Sequence, residues 1–367
     1  MKDITNQKIK PDIQRIEAWI ESCKKNNSSD LEMYEQTLLE LRAKLNKIDA
    51  ICIKRYKCFK DFKINGLSRI NIISGKNNVG KTALLEAFLL ACKGDGEATI
   101  AKNRDIASNQ YQTYLKTFNY SIDDNTASNT TSYCFDVKNK QELNQKELEE
   151  TKKLNNDYNE FICKYIDGIV SVKPLVKETM RSGESSYINS SKPSNQMLIE
   201  LYSTIQTKNI QNKFLNHLQK LDKDIKGLEP QLLHGDLVLR ASLRSPTISL
   251  TVSELGEGVN RYIEILATML SDNEYIFIDE IENGLHYSKL VGIARAVIEI
   301  AEEEDIQVFI TTHDKDTIEA FSTACELLEF TDLCSIELYK NKENKLKAIT
   351  RNTEQFIATV DTGIEVR

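Results

Sequence analysis

A chain of 367 residues is long enough for two structural units or one large domain with insertions, and 40% hydrophobic with 28% charged residues is ordinary globular composition. The formal net charge of -7 gives no global pull toward nucleic acid or an anionic membrane, so charge does not point to DNA. No run reaches the roughly 18 apolar residues of a membrane span, the N-terminus lacks a signal-peptide core, and the eight cysteines form no C-x-x-C pair; the expectation is a cytoplasmic protein with reduced thiols, no clustered zinc site and no membrane partner.

Residues 11–48 predict two amphipathic helices. Ile13, Ile16, Ile20 and Cys23 share a face of the first, and Leu31, Tyr34, Leu38, Leu41, Leu45 and Ile48 recur at steps of three and four in the second. Ser29 and Glu32 offer a capping box between them. Such a hairpin packs on its own domain or, since the stripe is heptad-like, on another chain. From Asp49 the pattern turns to strands (AICIKRYK, FKDFKI, a Gly66 turn, RINIIS), then to a strong helix carrying Leu84, Leu85, Phe88, Leu89 and Cys92 on its buried side.

Residues 121–132 are polar and turn-rich, 138–165 read as a charged helical stretch, and 182–195 as a flexible Ser/Asn-rich segment. Helical pattern returns at 196–225, and strands are expected near 237–241 and 246–250. A strand at 275–279, a helix from about Ser288 to Glu303, a strand at 306–311, a further helix and a hairpin at 334–350 complete the chain, which has no internal repeat.

Four segments carry chemistry. The first is Gly75-Lys76-Asn77-Asn78-Val79-Gly80-Lys81-Thr82, a G-x-x-x-x-G-K-T loop between a β-rich run and a helix, with Ala83 next to it as a further candidate nucleotide contact. Its glycines let successive N–H groups point at phosphate oxygens, and the helix dipole acts on the same anion. Lys81 would reach the β- and γ-phosphates, and the Thr82 hydroxyl would be a magnesium ligand. The bland alternative is a glycine loop without nucleotide.

The second segment is the apolar strand Tyr275-Ile276-Phe277-Ile278 ending in Asp279 and Glu280. Asp279 would hold magnesium and Glu280 would polarise an attacking water; an acidic turn at a sheet edge is the alternative. The third is Phe309-Ile310-Thr311-Thr312-His313, whose histidine would bond the γ-phosphate and the water, or be structural. The fourth, residues 253–261, places Ser253, Gly256, Glu257 and Gly258 ahead of a long amphipathic helix. It is a second anion-binding helix start, or an N-cap with permissive glycines. One nucleotide site in one chain does not require two such starts; they make sense if the second closes on another chain's nucleotide.

With these four segments in order, residues 49–367 resemble the ABC-type ATPases of the RecF/SMC/OLD-like group, and more closely the stand-alone bacterial "AAA family ATPases" with an ABC-type head. The resemblance rests on RINIISGKNNVGKTALLEAF, LGEGVNR, FIDEIENGLHYSK, FITTHD and the closing GIEVR. It implies an α/β fold, a P-loop NTPase of the ABC-ATPase head type with a mixed β-sheet flanked by helices, a helical insertion and an N-terminal helical extension. On that basis 1–48 is a helical hairpin extension, 49–137 the head N-lobe with Walker A, 138–232 a mainly helical insertion or lid, and 233–367 the C-lobe. Asp279 and Glu280 take the Walker B positions, 255–261 the signature, 281–286 the D-loop, and His313 the switch histidine.

The resemblance further implies ATP and Mg2+ as cofactors, hydrolysis of ATP, and head-to-head dimers sandwiching two nucleotides, so that Gly256 to Gly258 would meet the γ-phosphate held by the partner copy's lysine loop. Departures are Gly256 where serine is usual, with Ser253 as a helper, and no clear Q-loop glutamine; Gln196, Ser190 and Ser191 are weak candidates. Only residues 314–367 follow the histidine, too few for a Toprim nuclease domain, so nuclease activity is not expected. Relatives of this type often act in anti-phage or genome-maintenance systems beside a separately encoded effector. A RecF-like DNA clamp and an ATP-holding scaffold with little turnover are the rival readings.

Overall fold

From Ile48 the chain runs as strand β1 (Ile48–Tyr56), turns over Lys57 at φ 47° and returns as β2 (Phe59–Asn65). This computed structural model describes residues 48–92, 134–139, 159–166, 169–174, 185–244 and 248–363. The helices expected over 11–48 and the polar stretch 121–132 lie outside the described residues, apart from Ile48, which opens β1. Past Gly66 (φ 74°) come β3 (Ile70–Gly75) and helix α1 (Lys81–Cys92), then β4 (Cys134–Asn139), β5 (Asn159–Ile166), β6 (Ile169–Pro174) and β7 (Ser185–Ile188). Helices α2 (Asn195–Thr207) and α3 (Gln211–Leu221) precede β8 (Ile225–Leu233), β9 (Asp236–Leu243) and β10 (Ser249–Thr251). The remainder alternates: α4 (Glu257–Met269), β11 (Tyr275–Ile278), α5 (Leu290–Glu303), β12 (Gln307–Thr311), α6 (Lys315–Leu327), the hairpin β13 (Leu333–Lys340) and β14 (Leu346–Asn352), and α7 (Thr353–Asp361).

The chain divides into two units, Met1–Ser68 with Ala107–Ser182, and Arg69–Ile106 with Gly183–Arg367. The first holds an antiparallel sheet of order β2-β1-β4-β5-β6. Ile51, Ile53, Tyr56, Phe59, Phe62 and Ile64 are buried in it, with the Phe59 and Phe62 rings 4.8 Å apart. The helical reading of 138–165 fails where it can be checked, because residues 159–166 are strand β5. Their sequence, NEFICKYI, is rich in aromatic and β-branched residues, which favour the pleated conformation over the helix suggested by the charged run before it.

The second unit is built on a six-stranded sheet of order β14-β13-β3-β12-β11-β7, parallel throughout except for the β13–β14 hairpin. Strands β3, β11 and β12 are buried along their whole length, as their continuous apolar runs require. Helix α1 is apolar nearly all round and sits inside: Phe88 stacks on Phe309 of β12 at 4.4 Å, and Phe309 on Phe277 of β11 at 5.3 Å. Each such ring pair is worth about 0.5–1.5 kcal/mol beyond its buried area. On the other face of the sheet, helices α4 and α5 pack Ile263, Leu266, Ile293 and Val297 against the alternate strand residues Ile276, Ile278, Val308 and Ile310.

Three elements escape a reading by local pattern. Strand β7 lies in the Ser/Asn-rich segment; its four residues pair in register with β11, Ser185 to Tyr275 and Ile188 to Ile278, so tertiary pairing overrides composition. Strand β8 starts where a helix was expected to end, and α7 follows the expected hairpin. A small antiparallel sheet, β10-β9-β8, carries the chain into the 3-10 turn Val252–Leu255 and α4. Among the described residues, no helix is long and apolar enough to cross a membrane.

Candidate functional site at the carboxyl ends of three strands

Parallel pairing sets Ile310 beside both Ile72 and Ile278, so β3, β12 and β11 end side by side. The residues just beyond each strand therefore meet, the usual place for a ligand in such sheets. At the end of β3, Gly75 has φ 141°, and a Cβ there would lie 2.5 Å from the Leu338 carbonyl oxygen and 3.0 Å from Val79 Cγ1. Only glycine fits. Val79 is buried and anchors the loop, while Lys76, Asn77 and Asn78 are exposed. Asn78 (φ 62°) and Gly80 (φ 104°) complete the bend into α1, whose first turn carries Lys81, Thr82 and Ala83.

Lys81 curls back over this loop, its Nζ donating to the carbonyls of Gly75 at 2.9 Å and Lys76 at 3.2 Å. Burial pushes its pKa below the usual lysine value, opposed by the charges of Glu280, Glu282 and Asp279. The Thr82 hydroxyl lies 3.1 and 3.2 Å from the two carboxylate oxygens of Asp279. Thr311, from the neighbouring strand, donates to Asp279 Oδ1 at 2.6 Å and accepts the Glu280 N–H at 2.8 Å. One threonine hydroxyl thus fixes both carboxylate residues. Glu280 itself is left-handed (φ 47°), a strained conformation of the sort found where a side chain must be aimed.

Burial raises the Asp279 pKa, opposed by the hydrogen bonds from Thr311 and Thr82 and reinforced by Glu280 and Glu86. A carboxyl whose folded pKa lies above its unfolded one costs stability as pH rises through that interval and is neutral below it. Asp279→Asn is therefore expected to raise the melting temperature of the nucleotide-free protein at neutral pH, a gain that shrinks toward acid pH. The same change is expected to cut ATP turnover by at least about 100-fold. Calorimetry across pH, alongside phosphate release, checks both; a lower melting temperature at neutral pH would contradict the burial argument.

Beyond Glu280, Asn283 donates to Glu280 Oε2 at 2.9 Å and to the Ser190 carbonyl at 3.2 Å. His313 lies past the end of β12, with Nδ1 3.0 Å from Glu282 Oε1 and 3.8 Å from Glu280 Oε1. Behind them is Arg261, 3% exposed. Its guanidinium reaches the carbonyls of Asn189 (2.7 Å), Asp279 (3.1 Å) and Glu280 (3.5 Å), and the carboxylate of Glu264 (2.9 Å).

Of the fourth segment, Arg261 thus reaches the strand end, while residues 253–258, among those described, make no bond to the phosphate loop. Thr251 and Glu254 form a capping box, and Gly256 (φ 96°) is the N-cap of α4 with no side-chain hydrogen bond to its free amides. Ser253, Gly256 and Glu257 are exposed, and Gly258 is packed so that a Cβ would lie 3.2 Å from the Gly284 carbonyl oxygen. Ser190, Lys192, Glu257, Arg261, Asn283 and Gly284 line a cleft of about 230 Å³ there. Among the described residues, no hydrogen bond or ion pair joins 253–258 to the loop at 75–82. The structure thus brings Lys81, Thr82, Asp279, Glu280 and His313 into one group and leaves the second helix start outside it. Gln196 bonds Glu200 on its own helix. Thr311, the last residue of β12, holds the site although local pattern gave it no role, and Glu282 and Asn283, expected only as part of the D-loop, are the residues that grip His313 and Glu280.

A phosphate loop on a mixed α/β sheet, facing a strand that ends in paired carboxylates, defines an ATPase of the P-loop class. Comparison with known proteins agrees. Residues 47–105 match the family model described as "AAA ATPase domain" and residues 247–318 the one described as "AAA domain, putative AbiEii toxin, Type IV TA system". An ATP/GTP phosphatase of Helicobacter pylori is 26% identical over 326 residues, 74% of this chain and 86% of that protein. The DNA double-strand break repair Rad50 ATPase of Archaeoglobus fulgidus is 39% identical over 77 residues, 21% of this chain and 9% of that protein. In fold, the chain is similar to an SMC head bound to the C-terminal winged-helix domain of ScpA, with a TM-score of 0.52 at 13% identity, covering 85% of this chain and 99% of that one. The chain is an ATPase of the P-loop class, with the fold of an SMC head.

Proposed function

We propose that this ATPase works in pairs, with ATP held at residues 75–82 of one copy closed over by residues 255–261 of a second. The carrying observation is the helix start at Gly256: exposed, without a side-chain cap, and unconnected to the chain's own phosphate loop. Free amides at a helix start favour an anion. Magnesium suits the oxygen pair made by the Thr82 hydroxyl and the Asp279 carboxylate, which lie within 3.2 Å of each other. When bound it would neutralise charge on the β- and γ-phosphates.

Lys81 would leave its loop carbonyls for the phosphates. Glu280 would take a proton from water as the water oxygen bonds the γ-phosphorus and the bond to the ADP oxygen breaks, and His313 would hold the γ-phosphate and that water. Thr311 on its backbone N–H and Asn283 on its carboxylate keep Glu280 in place for this. For the biological setting, the reading is an ATP-gated sensor in a bacterial anti-phage system with a separate effector; the match of residues 247–318 to a domain described as a putative toxin of a type IV toxin–antitoxin system supports only its action beside a second protein. The short similarity to a Rad50 ATPase favours a second reading, a clamp on DNA; it requires ATP-dependent DNA binding that weakens steeply with salt.

Sedimentation with and without a slowly hydrolysed ATP analogue tests the pairing. Wild type is expected to double in mass with nucleotide. Glu257→Trp, at an exposed position, should stay single while its nucleotide affinity changes by no more than about threefold. A wild type that stays single at saturating nucleotide, or a variant that still pairs, would remove the pairing.

A further inference from the structure

Two consecutive residues after the carboxylate pair grip the two groups that the proposed reaction uses: Asn283 holds Glu280, and Glu282 holds His313. The His313 side chain is 42% exposed, so packing alone does not fix its ring. Glu282 meets this residue at two atoms with the same oxygen, Oε1. It accepts the His313 backbone N–H at 3.0 Å and lies 3.0 Å from ring Nδ1, while Glu280 Oε1 is farther at 3.8 Å. The Glu282 side chain is only 10% exposed. Burial raises its pKa, and the hydrogen bond from the His313 backbone N–H with the charge of His313 acts against that rise. Its other oxygen, Oε2, is buried without a hydrogen-bond partner, so the contacts of Oε1 carry what compensation there is.

We propose that Glu282 is a positioning residue for His313: by accepting the Nδ1 hydrogen it fixes the ring's orientation and leaves Nε2 as the nitrogen that meets the γ-phosphate and water. An imidazole tautomer is set by the hydrogen bond its other nitrogen makes, and a neighbouring carboxylate is the usual partner. The inference rests on the role given to His313 above. In the proposed reaction Glu282 acts on phosphate and water through the ring, so that part of its effect should vanish when the ring is gone; its charge also reaches Lys81, a contribution that the neutral Glu282→Gln variant separates.

The experiment is a double-variant cycle on the full chain, reading kcat and KM for ATP in Glu282→Ala, His313→Ala and the pair. Each single change is expected to lower kcat about tenfold or more, with KM within about threefold, and the pair should be no slower than His313→Ala. Glu282→Gln, whose amide oxygen still accepts from Nδ1, should recover most of the rate. Losses that add in the pair, or a Gln variant as slow as Ala, overturn the proposal. Nitrogen NMR of the four histidines gives a reading independent of turnover. His313 should be Nδ1-protonated in the wild type and lose that preference in Glu282→Ala; an unchanged ring spectrum also overturns it. If His313→Ala turns over at the parental rate while the ring spectrum responds to Glu282, the role of His313 has failed and the positioning contact stands.

Discussion

Glu280→Gln is expected to lower the turnover number about 100- to 1,000-fold while leaving ATP affinity within about twofold. The change is isosteric and keeps the features that place the residue. Its backbone N–H remains on Thr311, its left-handed φ is unaltered, and a glutamine oxygen still accepts from Asn283. What disappears is the ability to take a proton from water. Bound nucleotide should therefore persist unhydrolysed, and the paired state with it, so that sedimentation in ATP itself shows a stable dimer. Single-turnover phosphate release separates this from a defect in binding or product loss. A variant that hydrolyses at the parental rate would assign the base elsewhere.

The second large effect belongs to Arg261. Arg261→Met is expected to destabilise the protein by about 3–5 kcal/mol, the cost of leaving the other half of a buried ion pair uncompensated. Glu264 is 1% exposed, and burial already raises its pKa against the pull of Arg261. Without the guanidinium that pKa rises further. A carboxyl raised in the folded state costs stability once pH exceeds its unfolded value, so the deficit should be smallest in acid and grow toward neutral pH. Adding Glu264→Leu should restore much of the stability. It should not restore turnover, because the carbonyls of Asn189, Asp279 and Glu280 remain without the donor that ties the end of β11 to the loop after β7 and to α4. Denaturant melts across pH, read beside turnover, distinguish the two losses. A double variant that is both stable and fully active would confine Arg261 to a packing role.

The phosphate loop was legible because it is contiguous: eight residues, Gly75 to Thr82, with the strand and helix that frame them adjoining on either side. The strand-end residues Asp279, Glu280 and His313 were legible for a related reason, since apolar runs announce β11 and β12 and the polar residues follow at once. What holds these residues in place was not. Arg261 bonds Asn189 across 72 positions, Asn283 bonds Ser190 across 93, and Thr311 bonds Asp279 across 32. No local periodicity encodes such partners. Strand β7 was hidden similarly: its Ser-Ser-Tyr-Ile becomes a strand only beside β11, and β5 was masked by the charge run before it.

The place of β3 within its sheet bears on how the molecule is made. Strand β3 is made more than two hundred residues before either of its neighbours, β12 and β13, and the Arg69 N–H bonds Asp332 across 263 positions. Closing so long a span carries an entropic cost before any contact repays it, and parallel pairing of this kind is slow. The phosphate loop therefore emerges from the ribosome long before the strands that shape it. A nascent chain halted before Gln307 lacks both neighbours of β3, and with them the Thr311 hydroxyl that fixes Asp279 and Glu280. Nucleotide binding should thus report synthesis past β13, and the chain halted before β12, with apolar strands waiting for partners, is where chaperones would act.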